Sequence, residues 1–342
     1  MRVLVVRLGA FGDILHTLPL AADLAGAGHA VGWLCEDRWA GMLQGSPALA
    51  RIHQLPRRLV RSPTPWIERL SALGRCLREL RSADYEVVID AQGLAKSAFF
   101  AAACGARRRI GHAPPTAREG SWLISRERVA TTAVQVIAQQ RALGSALGVR
   151  AHGPAQFLLP PWEEERRWAR TQLALLHLYQ PWMLNVGAGW PTKVWPASHQ
   201  VELVRQLALR RIQLLLLWGT SAEHQAALAV QAAAGYGQVA PSSSVTQLGG
   251  LLSHARMVIS GDTGPLHLAF ALGVPAVGLF GPVPAVRNGP YGAGYRSLQA
   301  PAAPWERRDL SKVDMGAITI AQVLAAAESC LAEGALARPS GT

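Results

Sequence analysis

The sequence predicts an α/β protein made of two domains. Short runs of β-branched and apolar residues alternate with segments rich in alanine and leucine, which is the pattern of strands and helices that follow one another along the chain. Several of the strand-like runs end in glycine and a polar side chain, as the ligand-binding turns of α/β sheets do. The chain has 342 residues, 50% of them hydrophobic. With roughly 150 residues per domain, we expect two domains, each with its own core.

The charge of the chain is strongly positive. Lysine and arginine number 34 against 22 acidic residues, which gives a net charge of +12 and an isoelectric point near 10.5. Such a balance favours nucleic acid, an anionic membrane or a phosphorylated substrate as partner. An arginine-rich composition inherited from a GC-rich genome explains the same numbers without any partner.

Cysteine spacing and hydropathy indicate the redox compartment of the protein and its relation to a membrane. The cysteines at 35, 76, 104 and 330 are far apart and form no CxxC pair, which favours a reducing compartment and argues against zinc. Arg7 and a glycine turn interrupt the apolar N-terminus, so we predict a first strand there rather than a signal peptide. No apolar run reaches the roughly 18 residues of a membrane span, and we expect a soluble or peripheral protein.

The stretch MVISGDTGPLHLAFALGVPAVGLFGPVP, residues 257–284, is the centre of the second half. It predicts a strand, a glycine turn, a helix and a second buried strand. The helix that follows Asp262, Thr263 and Gly264 would offer free N–H groups and the positive end of its dipole, which suits a phosphate. His267 in its first turn could reach the same anion. A plain α/β turn with a hydrogen-bonded histidine accounts for these residues about equally well.

The N-terminal half opens with a strand over 3–8, a glycine turn, a helix over 14–25 and a strand over 31–35. The turn resembles a dinucleotide site, but a third glycine is missing and Asp13 stands where a pyrophosphate would need positive charge. A nicotinamide dehydrogenase is therefore disfavoured. Asp13 is a candidate general base at the carboxyl end of the first strand; a helix N-cap is the alternative role.

Further loops of the first half combine basic and polar residues. A helix over 67–80 has an apolar face, and a strand over 85–90 ends in polar residues and a glycine. Charge runs are usually solvated, but loops at one edge of a doubly wound sheet converge on one crevice, and there they would suit a phosphate-rich acceptor. The residues concerned are Arg57, Arg58, Arg61, Gln92, Gly93, Lys96 and Arg118.

The second half begins with a probable linker and a charged helix, followed by a strand from residue 183. Gly187, Gly189 and Lys193 then form a flexible loop with one cation that suits a diphosphate, although it is not a P-loop. Glu223 follows a strand over 212–217 and could accept hydrogen bonds from a ribose. As a lone carboxylate early in a helix, it is more often a cap partner.

Taken together, these loops resemble the bacterial ADP-heptose:lipopolysaccharide heptosyltransferases (glycosyltransferase family 9), and most closely their type I members. The motifs stand in family order over nearly the whole chain. They are GDILHTLP from Gly12, DAQGLAKS from Asp90, TARE from Thr116, KVWP from Lys193 and DTGPLH from Asp262.

The resemblance implies a GT-B fold, in which two Rossmann-like domains face each other across a cleft. It implies an acceptor domain over 1–160, a linker and helix over 161–180, and an ADP-sugar domain over 181–315. A final helix over 316–334 would pack back on the first domain, ahead of a tail over 335–342.

The implied reaction is an inverting transfer of L-glycero-D-manno-heptose from ADP-heptose to a Kdo residue of Kdo-lipid A, without a metal or other cofactor. The enzyme would be cytoplasmic and peripheral on the cytoplasmic face of the inner membrane, and no nucleic acid is expected as a partner. Oligomeric state is not implied.

The resemblance also implies residue roles. Asp13 would deprotonate the acceptor hydroxyl, and Lys193 would stabilise the departing ADP. The implied donor-binding residues are Gly187, Gly189, Thr192, Lys193, Glu223, Asp262, Thr263, Gly264 and His267. The implied acceptor-binding residues are Gly12, Arg57, Arg58, Arg61, Gln92, Gly93, Lys96 and Arg118.

Three alternatives remain open. The type I enzymes carry hydroxyl residues where this chain has Gly187-Ala188-Gly189, so transfer to the second heptose position is not excluded. A related enzyme could use another nucleotide sugar, another core acceptor or a protein acceptor. A non-catalytic nucleic-acid or membrane-surface module is disfavoured because few aromatic residues are interleaved with the basic ones.

Overall fold

The computed structural model describes residues 1–56 and 65–337. The chain divides into two compact units, Met1–Pro161 and the part from Trp162 onward. Arg57, Arg58 and Arg61, which the sequence places in the acceptor site, lie outside the described residues.

The first unit contains a parallel sheet of six strands in the order β3-β2-β1-β4-β5-β6. Its strands are β1 (Arg2–Val6), β2 (Ala30–Glu36), β3 (Arg51–Leu55), β4 (Val87–Asp90), β5 (Arg108–His112) and β6 (Glu127–Val129). Strand β1 lies at the centre, and its residues Val3, Leu4, Val5 and Val6 are fully buried. Burial on both faces explains why this strand reads as an uninterrupted apolar run.

Helices connect these strands. They are α1 (Phe11–Gly26), α2 (Asp37–Ala40), α3 (Trp66–Ser82), α4 (Ala95–Ala103) and α5 (Val136–Ala142). Helix α1 continues past Pro19, as the sequence predicts. Because the chain turns in opposite directions after β1 and after β4, the gap between these strands is the topological switch point, where open α/β sheets bind ligands.

The second unit repeats this design. Its strands are β7 (Trp182–Asn185), β8 (Leu214–Leu217), β9 (Gln238–Val239), β10 (Met257–Gly261), β11 (Ala276–Phe280) and β12 (Tyr295–Gln299). They form a parallel sheet in the order β12-β11-β10-β7-β8-β9, so the switch point lies between β7 and β10. Its helices are α6 (Glu163–Leu175), α7 (Ala197–Leu209), α8 (Ser221–Ala234), α9 (Val245–Leu252), α10 (Gly264–Ala271), α11 (Ala285–Asn288) and α12 (Ile320–Ala337).

The predicted α/β fold class is confirmed, since each unit is Rossmann-like, as in GT-B enzymes. Helix α6 lies within the predicted linker and helix over 161–180, and it packs against α9. Two glycines of α9 allow this contact. A Cβ on Gly249 would come within 2.6 Å of the Trp162 ring, and one on Gly250 within 2.4 Å of the backbone oxygen of Glu165.

The final helix contributes to the core of the second unit. Helix α12 packs against β11, β12 and α7, and its residues Val323, Ala327 and Cys330 belong to the apolar core of the second unit. The additional packing on the first domain that the resemblance implies stays a prediction. An apolar helix face fits any sheet that needs covering, so the face alone does not identify its partner. The helix also extends to residue 337, beyond the predicted start of the tail at 335.

Candidate functional site

The first unit places Asp13 beside its switch point, in the first turn of α1. One carboxylate oxygen, Oδ2, accepts a hydrogen bond from the backbone N–H of Ala10 at 3.2 Å. The other, Oδ1, lies 2.9 Å from Nη2 of Arg7, and 43% of the Asp13 side chain stays exposed. Asp13 therefore stabilises the start of the helix, as the alternative interpretation held, and still presents a carboxylate to solvent.

Arg7 is a functional candidate that the sequence analysis missed. Its side chain is 9% exposed, and Nη1 donates to the carbonyl oxygen of Ala91 at 2.6 Å, which bridges the ends of β1 and β4. Burial raises the pKa of the Asp13 carboxyl, but the charges of Arg7 and His16 and the Ala10 N–H outweigh burial and lower that pKa. The carboxylate is thus held ionised.

The polar turn after β4 is chiefly structural. Asp90 accepts hydrogen bonds from the backbone N–H groups of Gln92 and Gly93 at 3.1 and 3.0 Å. The side-chain oxygen of Gln92 in turn accepts from Leu8 N–H at 2.8 Å, next to β1. Burial raises the pKa of Asp90 in spite of these hydrogen bonds. The predicted acceptor residues Gln92 and Gly93 therefore hold the turn in shape.

The other predicted acceptor residues that the structure describes follow the carboxyl ends of β1, β4 and β5. Gly12 lies in the first turn of α1 next to Asp13. Lys96 is paired with Glu36 at 3.1 Å and is 35% exposed. Arg118 is exposed, and its backbone N–H donates to Gly93 at 2.9 Å, so the turn that carries Arg118 is tied to the Gly93 turn.

The second unit places the DTG turn at its own switch point, between β10 and α10. The hydroxyl of Thr263 is within 2.9 Å of Ser260 Oγ and accepts from Asn185 Nδ2 at 3.1 Å. Asn185 also donates to the carbonyl of Gly187 at 2.8 Å, so one side chain joins the ends of β7 and β10. With the turn fixed, the N–H groups at the start of α10 have the arrangement that suits the predicted phosphate site.

A buried ionic cluster stands beside this helix terminus. Asp262 is 4% exposed; Lys193 Nζ lies 2.6 Å from its Oδ2, and His267 Nε2 lies 3.1 Å from its Oδ1. Burial raises the pKa of Asp262, but His267 and Lys193 outweigh burial and hold it below its usual range. The structure thus brings three predicted donor residues into direct contact.

Glu223 performs the cap role that the sequence analysis offered as the alternative. Its Oε2 accepts from the N–H groups of Gly219 and Thr220 at 2.8 and 2.9 Å, before α8. The carboxylate also lies against the glycine loop, because a Cβ on Gly187 would come within 2.2 Å of Glu223 Oε1. Glycine at 187 therefore permits this close approach, whereas a Cβ on Gly189 would meet nothing within 4 Å.

Thr192 is buried, and its hydroxyl donates to the carbonyl of Glu306 at 2.8 Å. This predicted donor residue therefore anchors the segment around Glu306 through its side chain. Two more residues that the sequence analysis did not single out, Trp190 and Arg307, lie near Lys193: the Lys193 ammonium is 4.2 Å and the Arg307 guanidinium 4.4 Å from the Trp190 ring centroid. Because Arg307 is far from Trp190 and Lys193 in the sequence, no local sequence pattern predicts this contact.

Two negative results concern residues 1–56 and 65–337 only. No group of three or more His, Cys, Asp or Glu side chains in these ranges could hold a metal ion. No helix within them is both long and apolar enough to cross a bilayer. The metal independence of the reaction stays a prediction.

Two Rossmann-like units, one with a carboxylate and the other with a lysine and a helix terminus at the switch point, are the arrangement expected of a class of protein, the GT-B glycosyltransferases. Comparison with known proteins identifies the family. The profile of glycosyltransferase family 9 (heptosyltransferase) matches residues 73–314. The chain belongs to this family, as its motifs predicted.

Individual relatives agree with this assignment. Lipopolysaccharide heptosyltransferase 1 of Pseudomonas aeruginosa is 33% identical over 309 residues, which cover 89% of this chain and 86% of the relative. The protein of the same name from Escherichia coli is 29% identical, with 88% and 94% covered. The solved structure of E. coli heptosyltransferase WaaC with ADP-2-deoxy-2-fluoro heptose is similar with a TM-score of 0.75 at 26% identity, covering 95% of this chain and 98% of that one.

Proposed function

We propose that this enzyme transfers heptose from ADP-heptose to a Kdo residue of Kdo-lipid A, in the synthesis of the lipopolysaccharide inner core. The contact that carries the proposal is the Lys193–Asp262–His267 cluster at the N-terminus of α10. A cation beside free helix N–H groups suits the diphosphate of a nucleotide sugar. The names of the relatives support heptose as the sugar and favour the first heptose position.

The chemistry follows from the two sites. Asp13 takes the proton of the acceptor hydroxyl as the oxygen attacks the anomeric carbon of the heptose. The bond from that carbon to the ADP oxygen breaks with inversion, and the electron pair leaves with ADP. Lys193 and the N–H groups of Thr263 and Gly264 stabilise the charge that develops on the diphosphate.

The lowered pKa of Asp13 matters for this step. An ionised carboxylate is ready to accept a proton at neutral pH, but a low pKa also makes it a weak base. The proton is therefore transferred late, when bonding to the sugar has already acidified the hydroxyl. Arg7 keeps the carboxylate both ionised and oriented.

The acceptor proposal includes a membrane surface, with the enzyme peripheral on the cytoplasmic face of the inner membrane. The net charge of +12 favours anionic lipid. In the first unit, Ile67 and Leu70 at the start of α3 are 62% and 57% exposed, one helical turn apart. Exposed aliphatic side chains on a helix with basic residues suit the interface of a bilayer.

The membrane proposal is tested by flotation with vesicles that contain anionic lipid. We expect binding that weakens as salt rises, and weaker binding for Ile67→Glu and Leu70→Glu. Leu209→Glu is the matched control, since Leu209 is 79% exposed in the second unit. Salt-independent binding, or equal loss in all three variants, contradicts the proposal.

The transfer itself is tested by ADP release from purified enzyme with ADP-heptose and Kdo-lipid A, each omitted in turn. We expect release only when both are present, with a product heavier by one heptose. Donor binding without acceptor-dependent release would contradict Kdo-lipid A as acceptor. Release from UDP- or GDP-sugars, but not from ADP-heptose, would contradict the donor.

A further inference from the structure

Two cations share one aromatic ring in the second unit. Lys193 Nζ lies 4.2 Å from the centroid of Trp190, and the guanidinium carbon of Arg307 lies 4.4 Å from the same centroid. Both distances are well inside the roughly 6 Å range of cation–π attraction. Arg307 and Lys193, the cation of the proposed donor site, therefore contact the same aromatic ring.

The backbone around Arg307 is fixed by several hydrogen bonds. The carboxylate of Glu306 accepts from the N–H groups of Arg307, Arg308 and Asp309 at 2.9, 2.9 and 3.0 Å. The carbonyl of Glu306 accepts from the buried hydroxyl of Thr192, beside Lys193. The segment that carries Arg307 is thus fastened to the loop that carries Lys193, and the guanidinium is positioned before any ligand binds.

A second cation would add positive charge to the donor site. The side chain of Lys193 is 13% exposed, and its ammonium lies 2.6 Å from the carboxylate of the buried Asp262, so the two charges compensate each other. A nucleoside diphosphate carries at least two negative charges near neutral pH, and more charge develops on it as the sugar leaves. Among the ion pairs of residues 1–56 and 65–337, none involves Arg307, and its side chain is exposed.

We propose that Arg307 binds the diphosphate of the nucleotide-sugar donor and supplies the net positive charge that the Lys193–Asp262 pair lacks. Trp190 is the aromatic platform that both cations contact. The inference rests on the proposed donor function of this site. It adds two residues, Arg307 and Trp190, to those that the family resemblance implies.

The test compares the binding of ADP and of adenosine by calorimetry, at low and at moderate salt. We expect Arg307→Gln to weaken ADP binding by about tenfold or more, as for loss of a charge-assisted hydrogen bond. Adenosine binding should not change, since adenosine lacks the diphosphate. The salt dependence of ADP binding should also decrease. Because no acceptor is present, an acceptor-binding role for Arg307 would leave ADP affinity unchanged and would overturn the proposal.

Arg308→Gln is the matched control. Arg308 is exposed, occupies the same capped segment and does not share the Trp190 ring contacts recorded for Lys193 and Arg307. We expect its ADP affinity to equal that of the wild type. An equal loss in both variants would mean a general charge effect and would contradict a specific site.

A double-mutant cycle tests the platform. Trp190→Leu should weaken ADP binding, and Arg307→Gln should then cost less than it does in the wild type. Independent, additive effects would contradict the role of the ring. If the wild type binds neither ADP nor ADP-heptose, the proposed function fails together with this inference; if the wild type binds ADP and Arg307→Gln binds it equally well, only the inference fails.

Discussion

Arg7 Nη2 lies 2.9 Å from Asp13 Oδ1, and the same buried guanidinium donates through Nη1 to the carbonyl of Ala91. One side chain thus connects the candidate base to the strand on the other side of the switch point. This contact both orients the carboxylate and favours its ionised form.

The first prediction concerns the pH dependence of turnover. Because Arg7 lowers the pKa of Asp13, Arg7→Met should raise it, and more of the base would then be protonated at any acidic pH. The acid limb of the kcat profile should move to higher pH. His16, whose charge also lowers this pKa, remains in the variant. The measurement is kcat against pH, with saturating substrates.

Two control variants separate the effect of charge from the effect of packing in that experiment. Arg7→Lys keeps a positive charge, so its acid limb should stay near that of the wild type. Arg2→Met removes an exposed arginine of β1 whose partner is Asp84, and its profile should not change. An unmoved acid limb in Arg7→Met would refute the coupling between Arg7 and Asp13.

The second prediction concerns acid stability. The pKa of Asp262 is below its usual range in the folded protein, so its ionisation stabilises the fold. That contribution is fully present above about pH 4, the ordinary pKa of an aspartate in an unfolded chain, and is lost as pH falls toward the lowered folded value. The difference in Tm between the wild type and Asp262→Asn should shrink as pH falls below about 4.

Thermal melts at several pH values measure whether the Tm difference changes with pH in the predicted direction. At neutral pH the variant should lose about 1–3 kcal/mol, because its amide replaces a charged partner of Lys193 and His267. A difference in Tm that grows as pH falls would contradict an ionised Asp262 in the folded state.

The third prediction concerns the close contact between Gly187 and Glu223. A methyl group in Gly187→Ala would displace the Glu223 carboxylate, which must leave its cap bonds to Gly219 and Thr220. We expect a loss of about 1 kcal/mol of stability, as for other lost caps. If Glu223 binds the ribose, KM for ADP-heptose should rise as well, with little change in kcat.

Gly189→Ala is the natural comparison, since a Cβ at 189 meets nothing within 4 Å. Its stability should therefore be near that of the wild type. Calorimetry and steady-state kinetics on both variants give the two readouts. An unchanged KM in Gly187→Ala, together with a lower Tm, would confine Glu223 to the cap role.

Much of the fold could be predicted from the sequence because the burial of the central strands determines their residue pattern. The central strands β1 and β10 are buried on both faces, so they read as continuous apolar runs bounded by glycine turns. For residues 257–284 the sequence predicts a strand, a glycine turn, a helix and a second strand, and β10, α10 and β11 follow one another in that order. The Glu223 cap was also recognisable, since Thr220 and Glu223 have the spacing of a capping box.

What could not be predicted depends on contacts between distant segments. Arg7 looked like a charge that interrupts an apolar run, and nothing local shows that it faces Asp13 and Ala91. Arg307 reaches Trp190 only through the folded second unit. The packing of α6 depends on the glycines of α9, and the destination of α12 depends on which sheet has an uncovered face.

The central claim is that Asp13 is the base and that the donor binds elsewhere, in the second unit. The direct measurement is kcat together with the Kd for ADP-heptose in Asp13→Asn, with Asp84→Asn, an exposed aspartate of the first unit, as control. The account predicts an unchanged Kd and a kcat lower by about 10²–10⁴-fold, the usual contribution of a general base, with the control near the wild type. A kcat near that of the wild type in Asp13→Asn would contradict it.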